Sequence, residues 1–233
     1  MNDKREKHRP VCASCNIDND KRACMERGGV GSKGCPTLIH KKLLSVANVE
    51  YQRDEIGEFA HQATVQEGAA YANRHQRPYV MQPCKTRIVE ICEFARRMGY
   101  SRLGLAFCIG LKKEAAIVEE IFHIHEFEVV SACCKSGCTS KSLINIEERD
   151  KIFQDTDESM CNPIFQAMIL NEEKTEFNVL LGLCVGHDSL FFKYAQAPTT
   201  VLAVKDRVTG HNPLAAVYQH ESYYAKLKVP PKR

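Results

Sequence analysis

Four short, nearly continuous apolar runs constrain the fold of this 233-residue chain more than any other feature. The runs cover 102–109, 127–133, 178–185 and 199–204, and amphipathic segments such as 112–125 separate them. Apolar strands without polar alternation, joined by helices, are typical of a parallel sheet that is covered on both faces. The sequence therefore predicts an α/β fold whose main body is a Rossmann-like domain of three layers.

The chain before this domain has a different character. Residues 1–36 are poor in apolar side chains and rich in Cys, Gly and charge, so they need a metal or a partner in order to fold. Residues 37–77 carry apolar side chains at helical spacing, among them Ile56 and Phe59. We therefore expect a four-cysteine metal-binding module at 1–36, a helical connector at 37–77 and the Rossmann-like domain at 78–233.

Twelve cysteines narrow the chemistry that this chain can perform. No apolar run is long enough to span a membrane and no apolar stretch follows the basic start, so we expect a cytoplasmic protein. Thiols stay reduced in that compartment, and so many cysteines favour metal ligation over disulfides or packing alone. The net charge of +3 is too small to favour nucleic acid. The expected partner is a redox protein or a small-molecule substrate.

Four of the cysteines lie close together near the start of the chain, at Cys12, Cys15, Cys24 and Cys35. A Cys-x2-Cys pair binds one centre from a tight turn, and two further thiolates complete a tetrahedral set. The proline after Cys35 and the lack of a second Cys-x2-Cys pair favour a 4Fe–4S iron–sulfur cluster, with zinc as the alternative. The segment 29–34 matches G-x-G-x-x-G but follows no strand. We interpret its glycines as letting the chain wrap around a cluster.

A second group of cysteines follows the predicted strands. Cys108, Cys134 and Cys184 lie at the carboxyl ends of three strands, and Cys161 lies at the start of a predicted helix. The carboxyl ends of parallel strands share one edge of the sheet, where such folds place their sites. We therefore predict that these four residues, the rim cysteines, form a shared cluster or reactive site. The chain would then hold one or two iron–sulfur clusters.

Two histidines near this edge are predicted to take part in the chemistry. His187 follows Cys184 in a strand-to-helix turn, and His211 follows the fourth strand. An imidazole beside a cysteine can activate the thiol as a nucleophile, so Cys184, His187 and His211 are the predicted catalytic residues. The charged residues beside these histidines also have purely structural interpretations. Asp188 would cap a helix, and residues 205–207 would form a solvated charge run.

Three further cysteines have other interpretations. Cys92 lies on the apolar stripe of a helix that ends at Gly99, and we predict that it packs in the core. Cys138 is a candidate substitute ligand for the rim site, and the sequence does not decide whether it binds. Cys84 stands in a polar segment whose pattern does not decide between ligation and a structural role.

Long stretches of the chain resemble an uncharacterised family. They are RMGYSRLGLAFCIGL, FEVVSACCKSG, SMCNPIFQAMILNEEKTEFNVLLGLCVGHDSLFFKYAQAP and VKDRVTGHNPLAAVY. The chain is similar to predicted cysteine-rich metal-binding proteins of anaerobic bacteria and archaea, a domain of unknown function. This resemblance implies metal binding in an anaerobic setting, without a settled reaction. It supports two sets of ligands, namely Cys12, Cys15, Cys24 and Cys35, and then Cys108, Cys134, Cys161 and Cys184.

The functional prediction follows from the two sets of cysteines. We expect an iron–sulfur protein with two cysteine-ligated sites that acts in electron transfer or in cluster-dependent redox or sulfur chemistry. As an enzyme it would be an oxidoreductase or a sulfur-transfer enzyme. One alternative is a zinc-stabilised binding or regulatory module. Another is a transferase without a cluster, in which His187 activates Cys184 as the nucleophile.

Overall fold

The structure is a computed structural model that describes residues 9–231. The chain divides into two compact units, Met1–Glu67 and Gly68–Arg233. The first unit consists of short turns followed by helices, and the second contains the whole sheet. No helix in the described part of the chain is long and apolar enough to cross a membrane.

Helices and strands alternate in the second unit, as the sequence predicts. Short 3-10 turns join several of them. The bounds along the chain are α1 Pro36–Ile39, α2 Lys41–Glu50, α3 Asp54–Ala69, α4 Arg87–Arg97, β1 Arg102–Phe107, α5 Lys112–Ile124, β2 Glu128–Cys133, α6 Pro163–Glu172, β3 Phe177–Leu181, α7 His187–Tyr194, β4 Thr199–Ala203 and α8 Leu214–Tyr218.

The sheet is parallel throughout, and its strand order is β2-β1-β3-β4. Leu105 in β1 lies opposite Ser131 of β2 on one side and Val179 of β3 on the other. The two central strands are buried along nearly their whole length, whereas β2 and β4 at the edges are more exposed. The predicted α/β fold is therefore confirmed, and the strand order is consistent with a Rossmann-like layout.

Helices α6 and α7 pack against each other and help to enclose the core below the carboxyl edge of the sheet. Ala167 and Leu170 of α6 and Phe191 of α7 are fully buried. They belong to one apolar cluster that also contains the buried residues Cys108 and Cys134. The core therefore reaches directly to two of the rim cysteines.

Strand β3 is shorter than the sequence predicts. The apolar run continues to Val185, but the strand ends at Leu181. Gly182 has a φ of +71°, and a β-carbon there would collide with the side chain of Leu111. The backbone therefore leaves the sheet at this glycine, and Cys184 lies in the turn between β3 and α7 rather than at the strand end.

Candidate functional site

Backbone hydrogen bonds fix three of the cysteine-bearing segments to one another. The Cys108 N–H donates to the carbonyl of Leu181 at 3.1 Å, and the Cys134 N–H donates to the carbonyl of Phe107 at 2.9 Å. The Asn162 N–H donates to the Cys134 carbonyl at 2.8 Å. The main chain on the carboxyl side of β1 and β2 is therefore tied to β3 and to the start of α6.

The thiol of Cys134 lies at the centre of a hydrogen-bonded chain of sulfur atoms. It bonds to the thiol of Cys108 on one side and to the thiol of Cys161 on the other. The Ile109 N–H also points at the Cys134 sulfur, at 3.3 Å. Cys108 and Cys134 are buried, and Cys161 is half-buried. Three separate elements thus deliver three sulfur atoms to one place.

Each rim cysteine has a positively polarised partner. Lys205 bonds to Cys108, His187 bonds to Cys161, and the Arg207 guanidinium donates to Cys184 Sγ at 3.1 Å. The partner of Cys134 is the backbone N–H of Ile109. Such donors stabilise negative charge on the sulfur atoms that they contact.

The pKa values of the three bonded thiols follow from this arrangement. The hydrogen bond from Cys134 lowers the pKa of Cys108 to about 5, with support from the Gly110 N–H and Lys205. The hydrogen bond from Cys134 and that from His187 lower the pKa of Cys161 to about 4. The pKa of Cys134 itself is raised, because its hydrogen bonding with Cys108 and Cys161 and its burial both favour the protonated thiol. Cys134 is therefore the thiol that holds its proton most strongly, and Cys108 and Cys161 are the thiols that lose theirs first.

Cys184 and the predicted histidines are placed differently from the sequence-based pairing. His187 bonds to Cys161 rather than to Cys184, and this bond raises the pKa of His187. Cys184 is paired with Arg207, whose charge also acts on Cys108 and Cys161. Cys184 therefore shares the field of one guanidinium with Cys108 and Cys161.

His211 acts on the loop after β4. Its Nδ1 accepts the backbone N–H of Asp206 at 3.1 Å. The Asp206 carboxylate in turn accepts the N–H groups of Val208 and Thr209, at 2.9 and 3.0 Å. These bonds shape the loop that carries Arg207, so His211 supports the site through that loop.

Two residues that the sequence does not single out belong to this site. Lys205 belongs to the charged run at 205–207, whose sequence suggests a solvated segment, yet its side chain bonds to Cys108. Gln166, inside an apolar helix segment, is fully buried and bonds to the main chain at the ends of β1 and β2. An amide in the apolar run 164–170 is the one signal that pointed to Gln166.

The N-terminal cysteines lie in a segment of tight turns. The Cys15 N–H donates to the Cys12 carbonyl at 3.2 Å, which closes the Cys-x2-Cys turn. A β-carbon at Gly31 would lie 2.7 Å from Cys35 Sγ, and one at Gly34 would collide with the backbone shortly before Cys12. The glycines therefore allow the chain around Cys35 to approach the chain around Cys12.

The segment between these turns is also folded back on itself. The Ala23 N–H donates to the Val30 carbonyl at 2.8 Å, next to Cys24. The Arg22 side chain donates to the carbonyls of Ile17 and Cys15, at 2.5 and 3.4 Å. These contacts hold the chain beside Cys24 against the chain at 15–17 and against Val30.

The donors fit a thiolate-bound metal or cluster in their chemistry, because soft sulfur ligands are surrounded by cations and N–H groups. They do not form a closed shell around one point. Across residues 9–231, no three His, Cys, Asp or Glu side chains are arranged to hold a metal ion. This applies to the rim cysteines and to the N-terminal cysteines alike, so neither set is preformed for a single ion.

The remaining cysteines lie apart from the hydrogen-bonded sulfur chain. Cys92 is fully buried in α4, which confirms its predicted place in the core, and burial raises its pKa. Cys138 is exposed, and its sulfur lies 3.3 Å from the Ser159 hydroxyl. Cys84 is exposed and bonds to the carbonyl of Ala70 at 3.3 Å.

Comparison with known proteins gives a family without an assigned activity. The chain is 41% identical over 215 residues to an uncharacterised protein of Methanocaldococcus jannaschii, a match that covers 92% of this chain and 96% of that protein. No solved structure matches. A family model described as a protein of unknown function, DUF1847, matches residues 35–202, which include all four rim cysteines. The chain therefore belongs to the DUF1847 family.

Proposed function

We propose that the rim cysteines hold an iron–sulfur cluster and that the protein acts in electron transfer or cluster-dependent redox chemistry. The observation that carries this proposal is that the thiol of Cys134 bonds to the thiols of Cys108 and Cys161, so that sulfur atoms from three separate parts of the fold are neighbours. All twelve cysteines are free, so the thiols are available for ligation. Buried, adjacent and unoxidised thiols suit a soft metal in the reducing cytoplasm.

The charges around the site favour a negatively charged sulfur centre. A cluster with four thiolate ligands carries net negative charge, which Lys205 and Arg207 would offset, and the raised pKa of His187 favours its positive form there as well. Hydrogen bonds to sulfur, such as those from Ile109 and Arg207, raise the reduction potential of such centres. When bound, an iron–sulfur cluster supplies one-electron transfer, and a redox protein would be its partner.

The burial of the four thiols supports separate roles for them. Cys108 and Cys134 are 6% and 2% exposed and lie against the apolar core. Cys161 and Cys184 are half-buried and so are more accessible to solvent. The buried pair would exclude water from the centre, whereas electrons or a small substrate would enter beside Cys161 and Cys184.

Anaerobic purification with iron and acid-labile sulfide analysis tests this proposal. The wild-type protein should be brown, and each of Cys108→Ser, Cys134→Ser, Cys161→Ser and Cys184→Ser should lower the iron and sulfide content by a similar step. Cys92→Ser is the matched control, because Cys92 is buried in α4 away from the sulfur chain and should leave the metal content unchanged. Unchanged iron and sulfide in all four rim variants would contradict the proposal.

We propose a second metal site at Cys12, Cys15, Cys24 and Cys35, with an iron–sulfur cluster favoured and zinc as the alternative. Its support is the close approach of the cysteine-bearing turns, which the glycines allow. The double variant Cys12→Ser with Cys15→Ser should loosen this segment to limited proteolysis and leave the sheet intact. Identical digestion patterns for the variant and the wild type would remove this site from the proposal.

A thiolate nucleophile without a cluster is the second candidate function. It is favoured by the hydrogen bond between Cys161 and His187, which helps to lower the pKa of Cys161 to about 4. In this case Cys161, rather than Cys184, would be the nucleophile. Colourless, metal-free protein whose Cys161 alone reacts rapidly with iodoacetamide would favour this function over the cluster.

A further inference from the structure

Gln166 connects three of the elements that carry the rim cysteines. Its side chain is fully buried in α6. Its Nε2 donates to the carbonyl of Phe107 at 3.2 Å and to the carbonyl of Ala132 at 2.7 Å. Cys108 is the next residue after Phe107, and Cys134 lies two residues after Ala132.

The orientation of this amide is fixed by its two partners. Both are carbonyl oxygens, which only accept hydrogen bonds, so the NH2 group has to face them. The Gln166 Oε1 atom is then left buried without a hydrogen-bond partner in the described part of the chain. An unsatisfied buried oxygen destabilises the folded state, so stability alone does not explain a glutamine at this position.

The backbone of α6 completes the connection to Cys161. The Gln166 N–H donates to the carbonyl of Asn162 at 3.1 Å, and the Asn162 N–H donates to the carbonyl of Cys134 at 2.8 Å. Asn162 directly follows Cys161. One residue therefore links the end of β1, the end of β2 and the first turn of α6.

We propose that Gln166 is a positioning residue of the sulfur site, which sets the spacing of Cys108, Cys134 and Cys161 by clamping these three elements together. The inference rests on the proposed function only in assuming that the three thiols are the functional groups of the site. The experiment measures the spacing of the thiols in reduced, metal-free protein, so a failure of the Gln166 proposal is distinguishable from a failure of cluster binding.

The experiment measures how fast neighbouring thiols are joined by diamide. Diamide takes two electrons and two protons from a pair of thiols, forms the disulfide and becomes the corresponding hydrazine. Tryptic peptides 103–112, 114–135 and 152–174 separate Cys108, Cys134 and Cys161 for mass spectrometry, with Cys133 alongside Cys134. The wild-type protein should form a disulfide between peptide 114–135 and one of the other two.

Two variants remove the clamp in different ways. Gln166→Met keeps the length of the side chain but removes both N–H donors and the unpaired Oε1 atom. Gln166→Glu keeps the shape of the side chain but places a carboxylate against the two carbonyls. Each should slow disulfide formation by about tenfold, the factor that corresponds to one hydrogen bond of ordinary strength. If Gln166→Glu does not fold, Gln166→Met decides the outcome.

Asn178→Ala is the matched control. Asn178 is a fully buried amide whose Nδ2 also lacks a partner among residues 9–231, but it lies near the start of β3, at the opposite end of the strand from the rim cysteines. This variant should lose stability in urea and keep the wild-type rate of disulfide formation. Rates within twofold of wild type in both Gln166 variants would overturn the proposal, and so would an equal slowing in Asn178→Ala. A wild-type protein that forms none of these disulfides would overturn it as well.

Discussion

Replacement of His187 by glutamine tests the electrostatics of the sulfur site most directly. The hydrogen bond from His187 is one of two that lower the pKa of Cys161 to about 4, and the one from Cys134 is the larger cause. An opposite charge at hydrogen-bonding distance lowers a pKa by about 1–3 units. His187→Gln should therefore raise the pKa of Cys161 to between about 5 and 7, still below the ordinary value of a thiol, because the bond from Cys134 remains.

The assay is the pH profile of iodoacetamide labelling in reduced, metal-free protein. Cys161 is the only cysteine in tryptic peptide 152–174, and Cys108 is the only one in peptide 103–112, so mass spectrometry follows each thiol separately. At about pH 5 the thiolate fraction of Cys161 should fall by between about twofold and a hundredfold in the variant. The midpoint of the profile is the quantity to compare, because a thiolate of higher pKa is also a stronger nucleophile.

The same substitution makes a signed prediction about stability. The pKa of Cys161 is lower in the folded protein than in the unfolded chain, so its ionisation stabilises the fold above pH 9.0, the ordinary thiol value, and this contribution is lost as the pH falls to about 4. His187→Gln should thus be less stable than wild type near neutral pH and equal to it below about pH 4. His123→Gln, on an exposed position of α5, is the control.

Two results would refute this reasoning. The first is a wild-type Cys161 midpoint near the ordinary thiol value, which would mean that the site does not hold a thiolate. The second is an unchanged midpoint in His187→Gln, which would mean that the imidazole is not a partner of this sulfur. A shift in Cys108 as large as that in Cys161 would instead indicate a general disturbance of the site.

Three further substitutions test the frame that holds the site, each measured by urea unfolding. Phe191→Ala removes a fully buried ring from the cluster that encloses two rim cysteines and should cost about 3–5 kcal/mol. Asn162→Ala removes the cap on the Phe165 N–H, 3.0 Å away, and should cost about 1 kcal/mol; no loss would show that the cap is unimportant. Cys92→Ser should cost about 1–3 kcal/mol, because it buries a hydroxyl among apolar side chains.

The sheet was largely predictable, because buried parallel strands leave a strong apolar signal. Strands β1 and β2 end within two residues of the predicted ends at 109 and 133. The exception is β3, where the apolar letters continue to Val185 although the strand ends at Leu181. The chain turns at Gly182, where the positive φ and the closeness of the Leu111 side chain favour glycine, and hydrophobic periodicity does not contain this constraint.

The site was predictable only as far as the sheet determines it. Parallel topology puts the residues after β1 and β2 at one edge, which places Cys108 and Cys134 together. The partner of His187 depends instead on how α6 and α7 pack against each other. His187 is close to Cys184 in the sequence, but its side chain bonds to Cys161. The apolar run around Gln166 is compatible with burial of this amide, but it does not show which main-chain groups the amide contacts.

The strand order explains why the thiols meet where they do. After β1 the chain crosses to β2 on one side, and after β3 it crosses to β4 on the other, so the connections diverge between the two central strands, where open parallel sheets place their binding crevice. Cys108 follows β1 and Cys184 follows β3, so these residues lie on the two sides of this crevice. The loop after β4 places Arg207 against Cys184, and its charge also reaches Cys108. A group that is held by sulfur from both sides therefore has to enter at this crevice, since the apolar core closes the site from below.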